Sequence, residues 1–198
     1  MGKGEKGLGK REKGFGNGEE VHDSYRGEGN VVVKKSDNNL EIQIPNPQSP
    51  PDSYRGPNFK SQLGIPEEAK VIGKVAVFRS QKRLWIWVEL ALKILKKCPN
   101  THFLLVGDGD WRDRIISQIE KSGKQKNFHW VGVQKQVIPY LSIMDIYLST
   151  SEFEGLPIAM LEAMSCEVPI VATSAGGIGE MIQHGVQGFL TGIDGYEG

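Results

Sequence analysis

HFLLVGDGDWRDRIISQIEKSGKQKNFHWVG, residues 102–132, carries the pattern that decides the fold. An uninterrupted apolar run, 102–107, ends in the Gly-Asp-Gly-Asp turn of 107–110. A stretch over 110–122 follows with apolar residues at helical spacing, and then a second short apolar run at 128–132. An unbroken apolar run bounded by turn residues reads as a strand buried on both faces. Strand, helix, strand in that order reads as one parallel crossover unit.

The same alternation extends in both directions. Upstream, VIGKVAV (71–77) is a buried-strand run. It is followed over about 81–97 by Leu84, Val88, Ala91, Leu92 and Leu95 at helical spacing. Downstream come a short helix at 137–144, strand 146–150, helix 157–166, strand 169–173, helix 177–184 and strand 188–191. Parallel strands joined by right-handed crossovers predict an α/β domain with a doubly wound, Rossmann-like sheet.

The N-terminal third differs in kind. Residues 1–30 alternate Gly with Lys and Glu and hold almost no apolar side chains, so they cannot offset the entropy of ordering. We expect a disordered tail over 1–37, an entry strand and linker over 38–66, and the Rossmann-like domain over 67–198. VVVKK (31–35) and LEIQI (40–44) are strand candidates, and 45–58, rich in Pro, Asn and Ser, reads as a loop. The pentapeptide DSYRG occurs at 23–27 and again at 52–56, and no function attaches to it.

Composition excludes several classes. The 198 residues carry 24 Lys+Arg against 24 Asp+Glu, which argues against a chain living on nucleic-acid or membrane phosphates. Two cysteines, Cys98 and Cys166, are too few for a disulfide framework. No apolar run is long enough to span a membrane, and the opening residues lack the apolar core of a signal peptide. A cytoplasmic location, with peripheral membrane association as the variant, is the expectation.

Ligands of open parallel sheets bind at the carboxyl ends of the strands. Those ends run into FRSQK (78–82), GDGD (107–110), STSEFEGLP (149–157) and TSAGGIGE (173–180). A dinucleotide motif at Gly177-Ile178-Gly179 fails, because Ile182 stands where the third glycine belongs. No P-loop, His-Glu-x-x-His, Cys-x-x-Cys or EF-hand pattern occurs. SEFEGLPIAMLEAM (151–164) is the strongest signal: Glu154 lies in a strand-to-helix loop, Pro157 opens the helix, and Glu162 follows among apolar neighbours. A charge in such surroundings needs a partner. Ionised carboxylates are good acceptors for sugar or ribose hydroxyls.

In these residues the chain resembles the C-terminal, donor-binding domain of a family-4 retaining GT-B glycosyltransferase. EIQIPNP (41–47), LLVGDGDWRDRI (104–115), EGLPIAMLEAMSCEVPIVAT (154–173) and AGGIGEMIQHGVQGFL (175–190) carry the resemblance, in the family's order. It implies transfer of a sugar from a UDP- or GDP-type nucleotide-sugar to an acceptor hydroxyl with retention, in polysaccharide biosynthesis. Glu162 would hold the ribose hydroxyls. Glu154, with the backbone of Gly155, Leu156 and Pro157, would hold the sugar and the phosphate end. Lys82 matches the lysine that contacts the diphosphate, and Val133 falls where the base contact lies. The family's arginine five residues before that lysine is Val77 here, with Arg79 the nearest substitute. No metal or other cofactor is implied. The acceptor site and the catalytic residue belong to an N-terminal partner domain that residues 1–39 are too short to form. The resemblance therefore implies a donor-binding half, truncated at its C-terminus and inactive alone. The alternatives are a non-catalytic sugar-nucleotide-binding half that works with a partner chain, and a sugar-nucleotide epimerase. A Rossmann oxidoreductase is the outsider.

Overall fold

The computed structural model describes residues 32–36, 39–43 and 58–194. Of the tail expected over 1–37, only 32–36 is described, and it forms a strand; the rest of it, both DSYRG copies and most of the 45–58 loop lie outside the described residues. The two early strand candidates form strands β1 (Val32–Ser36) and β2 (Asn39–Gln43), which pair with each other antiparallel. A short helix, α1 (Asn58–Gln62), then leads into the main domain.

That domain runs β3 (Lys70–Val75), α2 (Leu84–Lys97), β4 (Thr101–Val106), α3 (Arg112–Lys121), β5 (Phe128–Trp130), α4 (Ile138–Ser142), β6 (Ile146–Ser149), α5 (Ile158–Ser165), β7 (Ile170–Thr173), α6 (Ile178–Met181) and β8 (Gly188–Thr191). The six strands are parallel, in the order β5-β4-β3-β6-β7-β8. The direction of winding reverses between β3 and β6, so a crevice opens there at the carboxyl edge.

Each face of the sheet is sealed by its own core. Trp87, Val88, Ala91, Phe103 and Ile115 pack α2 and α3 onto one face, while Leu104, Leu141, Met160, Ala163 and Ile170 pack α4 and α5 onto the other. On α2 the buried Leu84, Trp87, Val88, Ala91 and Leu95 recur at the helical interval. Trp87 also donates its indole N–H to the Leu148 carbonyl, 3.1 Å away, tying α2 to β6. At the opposite end, Asp145 accepts from Lys70 Nζ at 2.7 Å and from the Val71 amide at 2.8 Å, which sets the start of β3 against that of β6.

Two elements differ from the sequence expectation in ways that matter. The helix expected from residue 81 begins at Leu84. Residues Ser80–Lys82 form a single tight turn, and Arg83 takes a left-handed conformation (φ 49°) between the two. The break separates Lys82 from the axis of α2. The helix expected over 177–184 stops at Met181, because Ile182 turns extended and buries its side chain in the core.

Across β4 and β5, His102 and His129 stack with ring centroids 5.1 Å apart, and His102 Nδ1 lies 2.8 Å from His129 Nε2. No motif joins residues 27 apart in sequence. Strand register joins these two: Leu104 is opposite His129, which puts His102 one pleat back on the same face. Burial holds both imidazoles below their ordinary range, and on His129 the neighbouring His102 adds to it. The unfolded chain therefore binds protons at a pH where the folded chain does not, so stability present above pH ~6.5 is lost as pH falls through the folded values. We expect the melting temperature to fall between about pH 7 and pH 5, and the fall to be shallower in His129→Gln. Thermal melts of both proteins across that range check it.

Candidate functional site

The crevice between β3 and β6 is a cleft of about 730 Å³, which suits a ligand of nucleotide size. Its floor is Lys74 and Tyr147, one wall is Val133 to Pro139, and the other is Leu156, Pro157 and the first turns of α5. Glu154, Glu162 and Lys82 all line it.

Glu154 is 6% exposed and is held on both oxygens. Lys82 donates to Oε2 at 2.6 Å, and Ser151 Oγ donates to Oε1 at 2.6 Å. Lys74 Nζ stands 3.9 Å from Oε1. Burial pushes this carboxyl up. The charge of Lys74 and the bonds from Lys82 and Ser151 outweigh it and hold the group below the ordinary carboxylate range. Glu154 is therefore ionised.

The backbone explains why Lys82 meets Glu154. Thr150 Oγ1 donates to the carbonyls of Lys82 at 3.2 Å and Arg83 at 3.0 Å, and the Glu152 amide donates to the Gln81 carbonyl at 2.8 Å. The turn after β3 is thus laced to the loop after β6. Had α2 begun at residue 81, Lys82 would sit inside a helix instead of on this turn.

Glu162, on α5, is 8% exposed and differs from Glu154 in kind. Its carboxylate has no hydrogen-bond or ion-pair partner among the described residues, and burial alone pushes its pKa up. Tyr147 beneath it donates its hydroxyl to the Val75 carbonyl at 3.0 Å, and burial followed by the Glu154 and Glu162 charges raises its pKa.

Of the residues chosen from sequence, Lys82, Val133, Glu154, Leu156, Pro157 and Glu162 line one cleft. Gly155 is exposed just beside it, in the loop that carries Glu154. Arg79 is exposed and does not line the cleft, whereas Val77 does, 52% exposed. Lys74 was missed. Its signal was one lysine inside the apolar run VIGKVAV, a residue type almost never fully buried without a partner. Among the described residues no three His, Cys, Asp or Glu side chains gather as a metal site, and no helix is long and apolar enough to cross a membrane.

The glycine pair after β7 has a structural task. Gly176, at φ +54°, passes so close beneath the Glu154 loop that a Cβ would fall 2.0 Å from the Glu154 carbonyl oxygen. The Gly177 amide donates to that same carbonyl at 3.1 Å. A residue with a side chain here would displace the backbone of Glu154.

A parallel sheet with a charged, carboxylate-bearing cleft at its switch point defines a doubly wound, Rossmann-like domain with its candidate site at the carboxyl edge. Residues 57–193 match the family Glycosyl transferases group 1, and the chain belongs to it. It is 35% identical over 132 residues to the N-acetyl-alpha-D-glucosaminyl L-malate synthase of Bacillus anthracis, covering 67% of this chain and 34% of that protein. It is 36% identical over 119 residues to the Vi polysaccharide biosynthesis protein VipC/TviE of Salmonella typhi, covering 60% of this chain and 21% of that one. The chain thus spans between a fifth and about a third of these relatives. Among solved structures, Anabaena Alr3699/HepE in complex with UDP and glucose superposes with a TM-score of 0.65 at 28% identity, over 74% of this chain and 40% of that one.

The close pass at Gly176 gives a paired test. Gly123 also has a positive φ, +68°, but open space around it. Gly123→Ala should cost only the left-handed penalty of roughly 1–2 kcal/mol. Gly176→Ala should cost a further 1–3 kcal/mol or so, because backbone must move. Urea denaturation of the two variants measures the difference.

Proposed function

We propose that this chain binds a nucleotide-sugar and acts in a retaining glycosyltransferase that moves the sugar to the hydroxyl of an acceptor glycan or lipid-linked glycan. The observation that carries the reading is Glu162: a buried carboxylate, lining a nucleotide-sized cleft, with no donor of its own among the described residues. A ribose diol supplies two hydroxyl donors to such an acceptor. Glu154 and the backbone of Gly155, Leu156 and Pro157 then face the sugar and its phosphate. Val133, 76% exposed at the cleft rim, lies where a base would rest. UDP is the first nucleotide to test, since HepE was solved with it, and GDP is the second.

Breaking the glycosyl bond leaves one further negative charge on the terminal phosphate of the diphosphate. Lys82 and the N-terminus of α5 provide positive charge where that charge develops. A partner domain holds the acceptor and supplies the residue that handles the proton of its hydroxyl, so the described domain by itself binds donor without turning it over. In this reading the cleft's cations neutralise the diphosphate and no metal is required. Nucleotide affinity measured with and without EDTA should then agree within about threefold. A loss beyond about tenfold on chelation would count against it.

The two glutamates should separate by ligand. Glu162→Gln replaces a charged acceptor by a neutral one. It should weaken UDP and UDP-glucose alike by roughly 10- to 150-fold, the worth of a charge-assisted hydrogen bond. Because burial already raises its pKa, the charged form opposes folding at neutral pH, and the same variant should melt slightly higher. Glu154→Gln should weaken UDP-glucose more than UDP. Calorimetric titration of both variants with both ligands decides. Unchanged UDP affinity in Glu162→Gln, with only the melting temperature altered, would make Glu162 a structural residue.

A further inference from the structure

The cleft floor holds two ammonium groups and one carboxylate that binds them. Lys82 sits at the rim with its side chain 18% exposed and donates directly to Glu154 Oε2 at 2.6 Å. Lys74 lies at the end of β3, 2% exposed, and bonds directly to a neutral partner, Ser149 Oγ, at 2.6 Å. Its charge meets Glu154 Oε1 at 3.9 Å, and its Nζ lies 5.2 Å above the Tyr147 ring.

The hydroxyls between them have a fixed polarity. Ser151 gives its one proton to Glu154, so across the 3.2 Å contact with Ser151 it is Ser149 that donates, and Ser149 in turn accepts from Lys74. Every proton in the chain Lys74–Ser149–Ser151 points toward Glu154. That arrangement stabilises a negative charge on Glu154 without Lys82.

A diphosphate in this cleft would draw on Lys82, a cation at the rim beside the floor, with the exposed Lys135 on the facing wall. Turning Lys82 away would leave a buried carboxylate short of its closest cation, a strongly unfavourable state unless a second cation stays. We propose that Lys74 is a positioning residue: a stationary counter-charge that keeps Glu154 ionised and in place when Lys82 turns to the donor's diphosphate. This inference rests on the donor-site reading above. Burial pulls the Lys74 ammonium down to about 7, the Glu154 charge opposes that, and the Lys82 charge reinforces it. Withdrawing Lys82 toward a phosphate therefore favours the charged form of Lys74 in the step that needs it.

A double-mutant cycle with UDP as the probe tests the role. The four proteins are the unaltered chain, Lys74→Met, Glu154→Gln and the double variant, each checked for a cooperative melt. With Glu154 ionised, losing Lys74 should trap Lys82 on Glu154 and weaken UDP by about tenfold or more. With Glu154 neutralised, no counter-charge is needed. The double variant should then match Glu154→Gln within about threefold and bind UDP more tightly than Lys74→Met does. That rescue is what a packing role for Lys74 would not produce. Equal losses in both backgrounds would mean that Lys74 touches the ligand or only fills space, and would overturn the proposal. Should Lys74→Met fail to fold, the comparison of the double variant with Glu154→Gln still decides, a further tenfold loss overturning it. If the unaltered chain binds none of UDP, GDP and ADP, the donor-site reading itself falls, and this inference with it. If it binds UDP and the cycle shows no coupling, only the role of Lys74 falls.

Discussion

The ionised carboxylate of Glu154 is the constraint around which the carboxyl edge of this sheet is arranged. A buried charge is tolerated only when its surroundings compensate it from several directions. Here the compensation comes from β3 through Lys74, from the turn after β3 through Lys82, and from the end of β6 through Ser151. Each group needs its own backbone in place. The break before α2, the Thr150 bonds to the turn carbonyls and the glycine pass at Gly176 are the devices that set those backbones. The charge and the loop geometry are therefore one problem, since moving any of the three loops would unbalance the carboxylate.

The architecture was legible because its strands are buried on both faces. Unbroken apolar runs such as HFLLV, each followed by a helical stripe, have no other economical arrangement, and the six strands and their order of connection follow. Glu162 was legible for a related reason: an acid inside IAMLEAM is out of place unless it has a purpose; Glu154 was legible from its place in the strand-to-helix loop before Pro157. What escaped depended on long-range register. His102 and His129 meet only because β4 and β5 pair with Leu104 opposite His129. Lys74 meets Glu154 only because β3 and β6 are neighbours across the switch point. The start of α2 escaped for a local reason. Lys82 and Arg83 suit a helix as well as a turn, and it is the tertiary bonds from Thr150 and Glu152 that select the turn.

The glycine pair shows how one local pattern serves two purposes. Gly177-Ile178-Gly179 opens a helix after a strand, as a phosphate-binding loop does. In the structure neither Gly177 nor Gly179 lines the cleft, and α6 is only four residues long. Gly177 instead donates its amide to the Glu154 carbonyl, and a Cβ there would fall 2.6 Å from the Gly155 carbonyl oxygen. The absence of side chains at 176 and 177 lets two loops touch along their backbones. It is the loop above, which carries Glu154, that lines the cleft.

The two glutamates stand at opposite ends of an electrostatic balance, and the contrast has a consequence for stability. Glu154 is over-determined: two cations and a hydroxyl serve one carboxylate, and its ionised form supports the fold. Glu162 is left short of donors, so burial alone sets its energetics, and its ionised form opposes the fold. A protein selected only for stability would replace Glu162 by an apolar residue to match Met160, Leu161 and Ala163 around it, all of them buried. Local rules are broken in this way where an incoming group completes the set of hydrogen bonds. Glu162 lines the cleft, so in the proposed function a ligand with adjacent hydroxyls supplies the donors that the described residues do not.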